Sequence, residues 1–300
     1  MTTTHSISIS SSRFSDYMEL SKARLVSLVL LSAAVGFFLA PRTGPAGVAA
    51  GMDFPLFFVS LLGTAFVAAG SMSLNQWMER REDAEMKRTA ARPLPAGRMQ
   101  PLEALFFGTG ISLAGFLILF FAVNAVAAFL AVLTLISYLL LYTPMKRMTS
   151  LCTVVGAIPG AIPPLIGWAA ATGKAPFEAW VLFTIIFLWQ MPHFLAIAWI
   201  CRKEYESAGF KMLSVVDPSG AQVGRQIILY SAALLPVSLL PSIFGLTGKI
   251  YFFGALGLGA WVCFLSVRSF RSLDQKARPF FRASILYLAL LLILMVVDKR

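Results

Sequence analysis

The chain has 300 residues, 58% hydrophobic and only 13% charged, with a mean hydropathy of +0.78. A soluble domain is about half apolar and about a quarter charged, so this chain lacks the polar surface of a water-soluble globule and belongs in a bilayer. The net charge of +11 would suggest nucleic acid in a soluble protein, but here it is read first as a membrane-orientation signal.

A bilayer core needs about 20 apolar residues per helix. In chain order, residues 25–40, 54–75, 103–121, 125–142, 153–171, 179–200, 227–245, 249–267 and 281–297 qualify. The predicted fold is therefore an all-α polytopic bundle of nine transmembrane helices. A Ser/Thr-rich start (residues 1–12) reads as a disordered tail, residues 1–24 as an N-terminal cytoplasmic tail, and 25–300 as a single membrane domain. The third and fourth spans meet at Asn124 in a tight turn. The runs are too long, and apolar on every face, for the alternating strands of a membrane barrel. The first span is not expected to be a cleaved signal. Asp16 and Glu19 lie in its basic flank, and Phe38-Leu39-Ala40 is a poor cleavage site. Cys152, Cys201 and Cys263 are scattered and odd in number, so they read as reduced packing residues.

The charges divide by side. Of the 25 Lys and Arg, only Arg42, Lys174, Lys249, Lys299 and Arg300 fall on one side of the predicted bundle. The other twenty lie in the N-terminal segment and in loops 76–101, 143–152, 201–226 and 268–280, the last with its helix entrance. That asymmetry places the second side in the cytoplasm, with the N-terminus inside and the C-terminus outside. All acids except Asp53, Glu178 and Asp298 also lie on the cytoplasmic side. Acids contribute little to orientation, so their clustering needs another cause.

Asn75-Gln-Trp-Met-Glu79-Arg-Arg-Glu-Asp83 ends the second span. Asn75, Glu79 and Asp83 at i, i+4 and i+8 share one helical face. Two carboxylates four residues apart repel unless a cation joins them. Mg²⁺ prefers oxygen ligands and bridges carboxylates to phosphates. The bland alternative is a solvated helix end paired with Arg80, Arg81 and Lys87. The following stretch, Met86 to Arg98, sets Lys87, Arg88, Arg92 and Arg98 among turn formers, and acids for a metal beside bases for phosphate oxygens make a diphosphate site. The sixth span ends similarly, in Trp189-Gln-Met-Pro-His193-Phe, followed by Arg202-Lys-Glu204-Tyr205. Spans two and six differ by four, which suggests two four-helix halves plus a ninth helix, with both acidic ends facing one cavity.

These motifs resemble the UbiA-type intramembrane prenyltransferases and, more closely, their protoheme IX farnesyltransferase (heme O synthase) branch. The resemblance covers nearly the whole chain. It runs through Asp16-Tyr-Met-Glu-Leu-Ser-Lys22, the Asn75…Glu79…Asp83 motif and Arg88-Thr-Ala-Ala-Arg92-Pro. It continues through Tyr142-Thr-Pro-Met-Lys146-Arg147, Pro163-Pro164-Leu-Ile-Gly-Trp168, Pro192-His193-Phe194 and Glu204-Tyr205. It implies a nine-helix bundle with Mg²⁺ as cofactor, farnesyl diphosphate and heme B as substrates, and heme O as product. By the same resemblance Asn75, Glu79 and Asp83 hold one Mg²⁺–diphosphate unit and Glu204 the other. Lys87, Arg88, Arg92, Lys146 and Arg147 grip phosphate oxygens or heme propionates, with Lys22 and Tyr205 as further substrate contacts. His193, ionisable within a span, either serves heme (by ligating its iron or orienting a propionate) or is a packing side chain beside a proline kink. Glu stands at 79 and 204 where the family commonly has Asp, and Ala208 stands where the wider superfamily has a further acid. Ala23, Cys152 and Ser214 depart from the family's usual Pro, Asn and Pro.

With no long Arg-rich presequence before the first span, a bacterial inner membrane is expected; the composition implies contact with lipid, the charge split implies no nucleic-acid partner, and the resemblance implies handover of product to a heme A synthase or terminal oxidase. Two rival functions remain. One is a UbiA-type enzyme for another aromatic or tetrapyrrole acceptor, against which the Pro-His-Phe and Arg-Thr-x-x-Arg-Pro elements argue. The other is a transporter, whose ionisable sites belong near the midplane rather than at helix ends.

Overall fold

The structure is a computed structural model that describes residues 12–41 and 51–300. The expected disordered tail and Arg42 lie almost wholly outside the described residues. Among those described there is no sheet; fifteen α-helical segments carry the fold.

The segments group into the predicted spans. The first comprises α1 (Arg13–Leu20) and α2 (Ala23–Leu39), bent by 51° at the break between them. Next come α3 (Phe54–Met78), with the short α4 (Arg80–Glu85) after it, and α5 (Pro101–Ala122). A fourth span runs through α6 (Ala125–Ile136), a π-helical turn (Ser137–Tyr142) and α7 (Thr143–Met145). The fifth is α8 (Cys152–Ala161) continued by α9 (Pro163–Thr172), and the sixth is α10 (Phe177–Ile200). Two short helices follow, α11 (Arg202–Ser207) and α12 (Leu213–Val216). Then come α13 (Ala221–Ile243), α14 (Lys249–Phe270) and α15 (Leu273–Val297). Eight of these spans are long and apolar enough to cross a bilayer alone, and the α1–α2 pair makes a ninth only when both pieces are counted together.

Most differences from the predicted boundaries have one cause. α13 and α15 begin six and eight residues before the predicted apolar runs, because a helix need not stop where its sequence becomes polar. α13 is carried outward by a cap: Asp217 Oδ2 accepts from the backbone N–H groups of Gln222 and Val223. The Asn124 turn is as tight as expected. Its Oδ1 caps α6 by accepting from Ala127 N, and its Nδ2 donates to the Ala169 carbonyl of α9.

Helices approach closely where side chains are small. A Cβ on Gly36 of α2 would lie 2.0 Å from the Pro164 carbonyl oxygen of α9, and one on Gly167 would lie 1.8 Å from that of Ala33. Without a hydrophobic drive between helices in lipid, such contacts hold a bundle together. The interior holds Phe37, Trp168, Tyr251 and Tyr287, all nearly inaccessible. Its two buried tyrosine hydroxyls find partners: Tyr251 donates to the Ser238 carbonyl at 2.7 Å, and Tyr287 and Ser238 share a 2.6 Å bond. The outer surface exposes Phe106, Phe121, Phe129, Leu140 and Phe253, an apolar coat that suits lipid rather than water. All three cysteines are free.

The basic loops gather at one end. Arg98 pairs with Asp16, Arg88 with Glu204, Arg147 with Glu82 and Arg202 with Asp274, which links all five loop-bearing segments. At the other end Lys299 donates to the Phe38 carbonyl, and Arg300 N donates to that of Leu246.

Candidate active site

The site grows from the end of α3. The predicted single helical face through Asn75, Glu79 and Asp83 is interrupted, because α3 stops at Met78 and Glu79 is a cap between α3 and α4. The face survives the break, since Glu79 N still bonds the Asn75 carbonyl and Asp83 N that of Glu79. All three side chains are buried: Asn75 and Asp83 are 1% exposed and Glu79 6%.

Buried carboxylates require partners, and each has a base. Asp83 Oδ2 accepts from Arg92 at 2.7 Å. Lys146 sits on both oxygens of Glu79, at 2.7 and 2.9 Å, with its ammonium 4.6 Å from the Tyr142 ring and 5.6 Å from that of Phe210. Burial alone would push Lys146 down, but the Glu79 carboxylate outweighs it and holds the ammonium above the ordinary lysine range. Asn75 Oδ1 accepts from Lys22 Nζ at 3.0 Å and from Tyr138 OH at 3.4 Å, while Asn75 Nδ2 donates to Thr143 at 3.1 Å. Lys22 occupies the bend between α1 and α2 with φ +49°, a left-handed conformation that costs a non-glycine residue about 1 kcal/mol.

The second acidic end meets the first across the loops. Glu204 on α11 accepts from the Arg88 backbone N–H at 3.2 Å, and its Oε2 lies 3.9 Å from Arg88 Nε. The Arg88 guanidinium lies over Tyr205 at 5.2 Å, and burial raises the Tyr205 phenol. Lys211 N donates to the Lys146 carbonyl at 2.7 Å, which ties the loop after α11 to the turn that presents Lys146. The structure thus brings Lys22, Asn75, Glu79, Asp83, Arg88, Arg92, Lys146, Glu204 and Tyr205 into one constellation. Arg147 is at its edge on Glu82, and Lys87 is exposed. His193 stands apart, two turns inside α10. Its ring lies between Trp189 and Phe281, at 4.8 and 4.5 Å, with Nδ1 2.8 Å from Ser284 Oγ.

Tyr138 and Thr143 were not anticipated as site residues. Their signal was Pro144, two residues past the end of the fourth apolar run. A proline cannot donate to the helix ladder, and the π turn before it, with Thr143 Oγ1 donating to the Tyr138 carbonyl, aims both side chains at Asn75. Such turns recur at functional sites.

The geometry is that of a site for two opposite kinds of charge. The UbiA prenyltransferase family profile matches residues 29–293. A protoheme IX farnesyltransferase of Solibacter usitatus is 46% identical over 95% of this chain and 98% of its own length. One from Opitutus terrae is 41% identical over 97% and 96%. The chain belongs to the UbiA prenyltransferase family, on its protoheme IX farnesyltransferase branch. It is a multi-pass membrane protein. Among solved structures, a digeranylgeranylglyceryl phosphate synthase superposes with TM-score 0.78 at 16% identity, covering 95% of this chain and 98% of that one. A UbiA homolog from Archaeoglobus fulgidus bound to DMAPP and Mg²⁺ superposes with TM-score 0.67, also at 16% identity, over 94% and 99%. At that identity the likeness concerns the fold.

The residues present suit a hard divalent cation in a limited way. Among the described residues no three His, Cys, Asp or Glu side chains converge on one point. Asn75, Glu79 and Asp83 supply oxygens only, and too few to enclose an ion. That suits Mg²⁺, which keeps waters and completes its shell with phosphate. Lys146 and Arg92 neutralise Glu79 and Asp83 in this structure, so a divalent cation would need both bases to turn toward phosphate.

Proposed function

We propose that this protein transfers the farnesyl group of farnesyl diphosphate to a vinyl group of heme B, with addition of water, giving heme O and diphosphate. The observation that carries this reading is the set of acid–base pairs Glu79–Lys146, Asp83–Arg92 and Glu204–Arg88, drawn from two helix ends into one site. Each pair holds a base ready for phosphate and an acid ready for a cation. Relatives bearing the farnesyltransferase name support the choice of acceptor.

In this reading Asn75, Glu79 and Asp83 would hold one Mg²⁺–diphosphate unit and Glu204 the other. Bound Mg²⁺ supplies charge neutralisation to the departing diphosphate. Arg88, Arg92 and Lys146 turn from their carboxylates, and Lys22 from the Asn75 amide oxygen, to phosphate oxygens and stabilise the leaving group. Lys87 and Arg147 sit at the rim, where they meet phosphate or a heme propionate. As the C1–oxygen bond breaks, the vinyl carbon bonds to C1 and its neighbour takes a hydroxyl from water, releasing one proton. Tyr142, Tyr205 and Phe210 line the site with aromatic faces that tolerate an allylic cation and exclude bulk water. His193, held between two aromatic rings, orients heme.

The basic end faces the cytoplasm of a bacterial inner membrane, the C-terminus lies outside, and α1 with α2 forms the first of nine spans. Heme O then passes to a heme A synthase or terminal oxidase. The test is to incubate detergent-purified protein with heme B, farnesyl diphosphate and Mg²⁺ and to follow pigment mass. Heme that gains farnesyl plus the elements of water is the expected result. Prenylation of 4-hydroxybenzoate with heme untouched would overturn it.

A further inference from the structure

We propose that Arg98 is a positioning residue for the diphosphate side of the site: with Asp16 and Glu19 it clasps α1 against the basic turn and so sets where Arg92 and Lys22 present their charges. The proposal rests on the reading of the site as a prenyl-diphosphate site.

Arg98 is the last base of the run that begins at Lys87, and each of its three guanidinium nitrogens already donates to the protein. Nε donates to Asp16 Oδ1 at 2.8 Å, one terminal nitrogen to Glu19 Oε2 at 2.7 Å, and the other to the Ala91 carbonyl at 2.6 Å. The first two bonds reach α1, and the third reaches the residue beside Arg92. The guanidinium fork suits such a three-way junction, which one ammonium cannot reproduce.

The turn between Arg92 and Arg98 is itself rigid. Ala96 N bonds the Arg92 carbonyl, and Arg98 N and Met99 N both bond that of Pro93. Gly97 takes φ +70° in open space, so it is there for its backbone and not for packing. Beneath the clasp, Leu20, Leu94, Met99 and Ala104 form a small buried cluster with Tyr17, Trp77 and Phe107. Tyr17 donates to Glu103, and Gln76 Nε2 donates to the carbonyls of Glu19 and Leu20 at the end of α1. Lys22 follows Leu20 by two residues, so the seat of α1 dictates where its ammonium meets Asn75. Lys146 is held through other elements, on Glu79 and by the Lys211 N–H, while Glu204 meets Arg88 at the far end of the basic turn. The clasp therefore acts first on Arg92 and Lys22.

That asymmetry gives the test. Wild type, Arg98→Gln, Arg98→Lys and Glu19→Gln are purified whole in detergent. Pyrophosphate binding with Mg²⁺ is read by calorimetry, heme B binding by absorbance, and turnover by steady-state kinetics. Arg98→Gln should weaken pyrophosphate and raise KM for farnesyl diphosphate about 10-fold or more, as loss of a supporting residue does. Its kcat should change less than about threefold and heme affinity less than about twofold. Arg98→Lys should recover part of the loss, and Glu19→Gln should show a smaller shift in the same direction. A lowered melting temperature with pyrophosphate binding unmoved would overturn the clasp, as would equal weakening of both ligands. If Arg98→Gln does not fold, unchanged pyrophosphate affinity in Glu19→Gln overturns it alone. Wild type that binds pyrophosphate but leaves heme unmodified defeats the function and leaves the clasp to be judged by calorimetry; wild type that binds no pyrophosphate defeats both.

Discussion

The two acidic ends differ in how they are held. At the end of α3, Asn75, Glu79 and Asp83 are nearly inaccessible and are fixed by side chains from the α1–α2 bend, the turn after α7 and the basic turn after α4. Glu204 lies on a six-residue helix that also carries Glu206, its side chain is 32% exposed, and it is joined to the first end through Arg88. The first end is preorganised by packing. The second is positioned chiefly by a charge contact across a loop, and such a contact between partly exposed groups is worth little by itself. We infer that the first end is the permanent anion–cation seat and that the second completes it.

Mutations can break that contrast. Asp83→Ala should have the largest effect, lowering turnover by about 10³-fold or more while the protein still inserts, because it takes away a proposed metal ligand and strands Arg92; full activity in that variant would remove Asp83 from the site. Glu204→Ala should cost about 10²-fold, less than the buried acid, in the same assay. Were Glu204→Ala the more damaging of the two, the ranking of the ends would be reversed. Lys146→Arg should lose about 10-fold in kcat/KM, because a planar guanidinium does not fit the point-charge seat between Tyr142, Phe210 and Glu79. Full activity would mean that charge alone matters there. Asp217→Asn is the control on the second side. It weakens the cap of α13 and should cost about 1 kcal/mol, or a melting temperature about 2 °C lower, with turnover unchanged.

The bundle was legible because bilayer thickness dictates how long an apolar run must be, and every predicted span has its helix. What the runs concealed was local. The polar starts of α13 and α15 hid helix that extends beyond the apolar stretch, and the bend at Lys22 hid a second helix, α1, within the expected tail. The acids were legible too, since Asn75, Glu79 and Asp83 share a face by spacing alone. Their pairings were not. Lys146 lies 67 residues from Glu79, and Arg88 lies 116 residues from Glu204; only tertiary packing decides which base meets which acid. Arg98 shows the same limit: in sequence it is one more base in a basic run, and in the structure it is spent on α1.

The central claim is that the two acidic ends act as one site. It is tested most directly by a cycle of Asp83→Ala, Glu204→Ala and the double variant, measured as farnesyl transfer to heme B. Residues that work as a unit are strongly non-additive, so the double variant should be no slower than Asp83→Ala within about threefold. A double variant slowed by the product of the two single effects would show two independent sites and contradict the account.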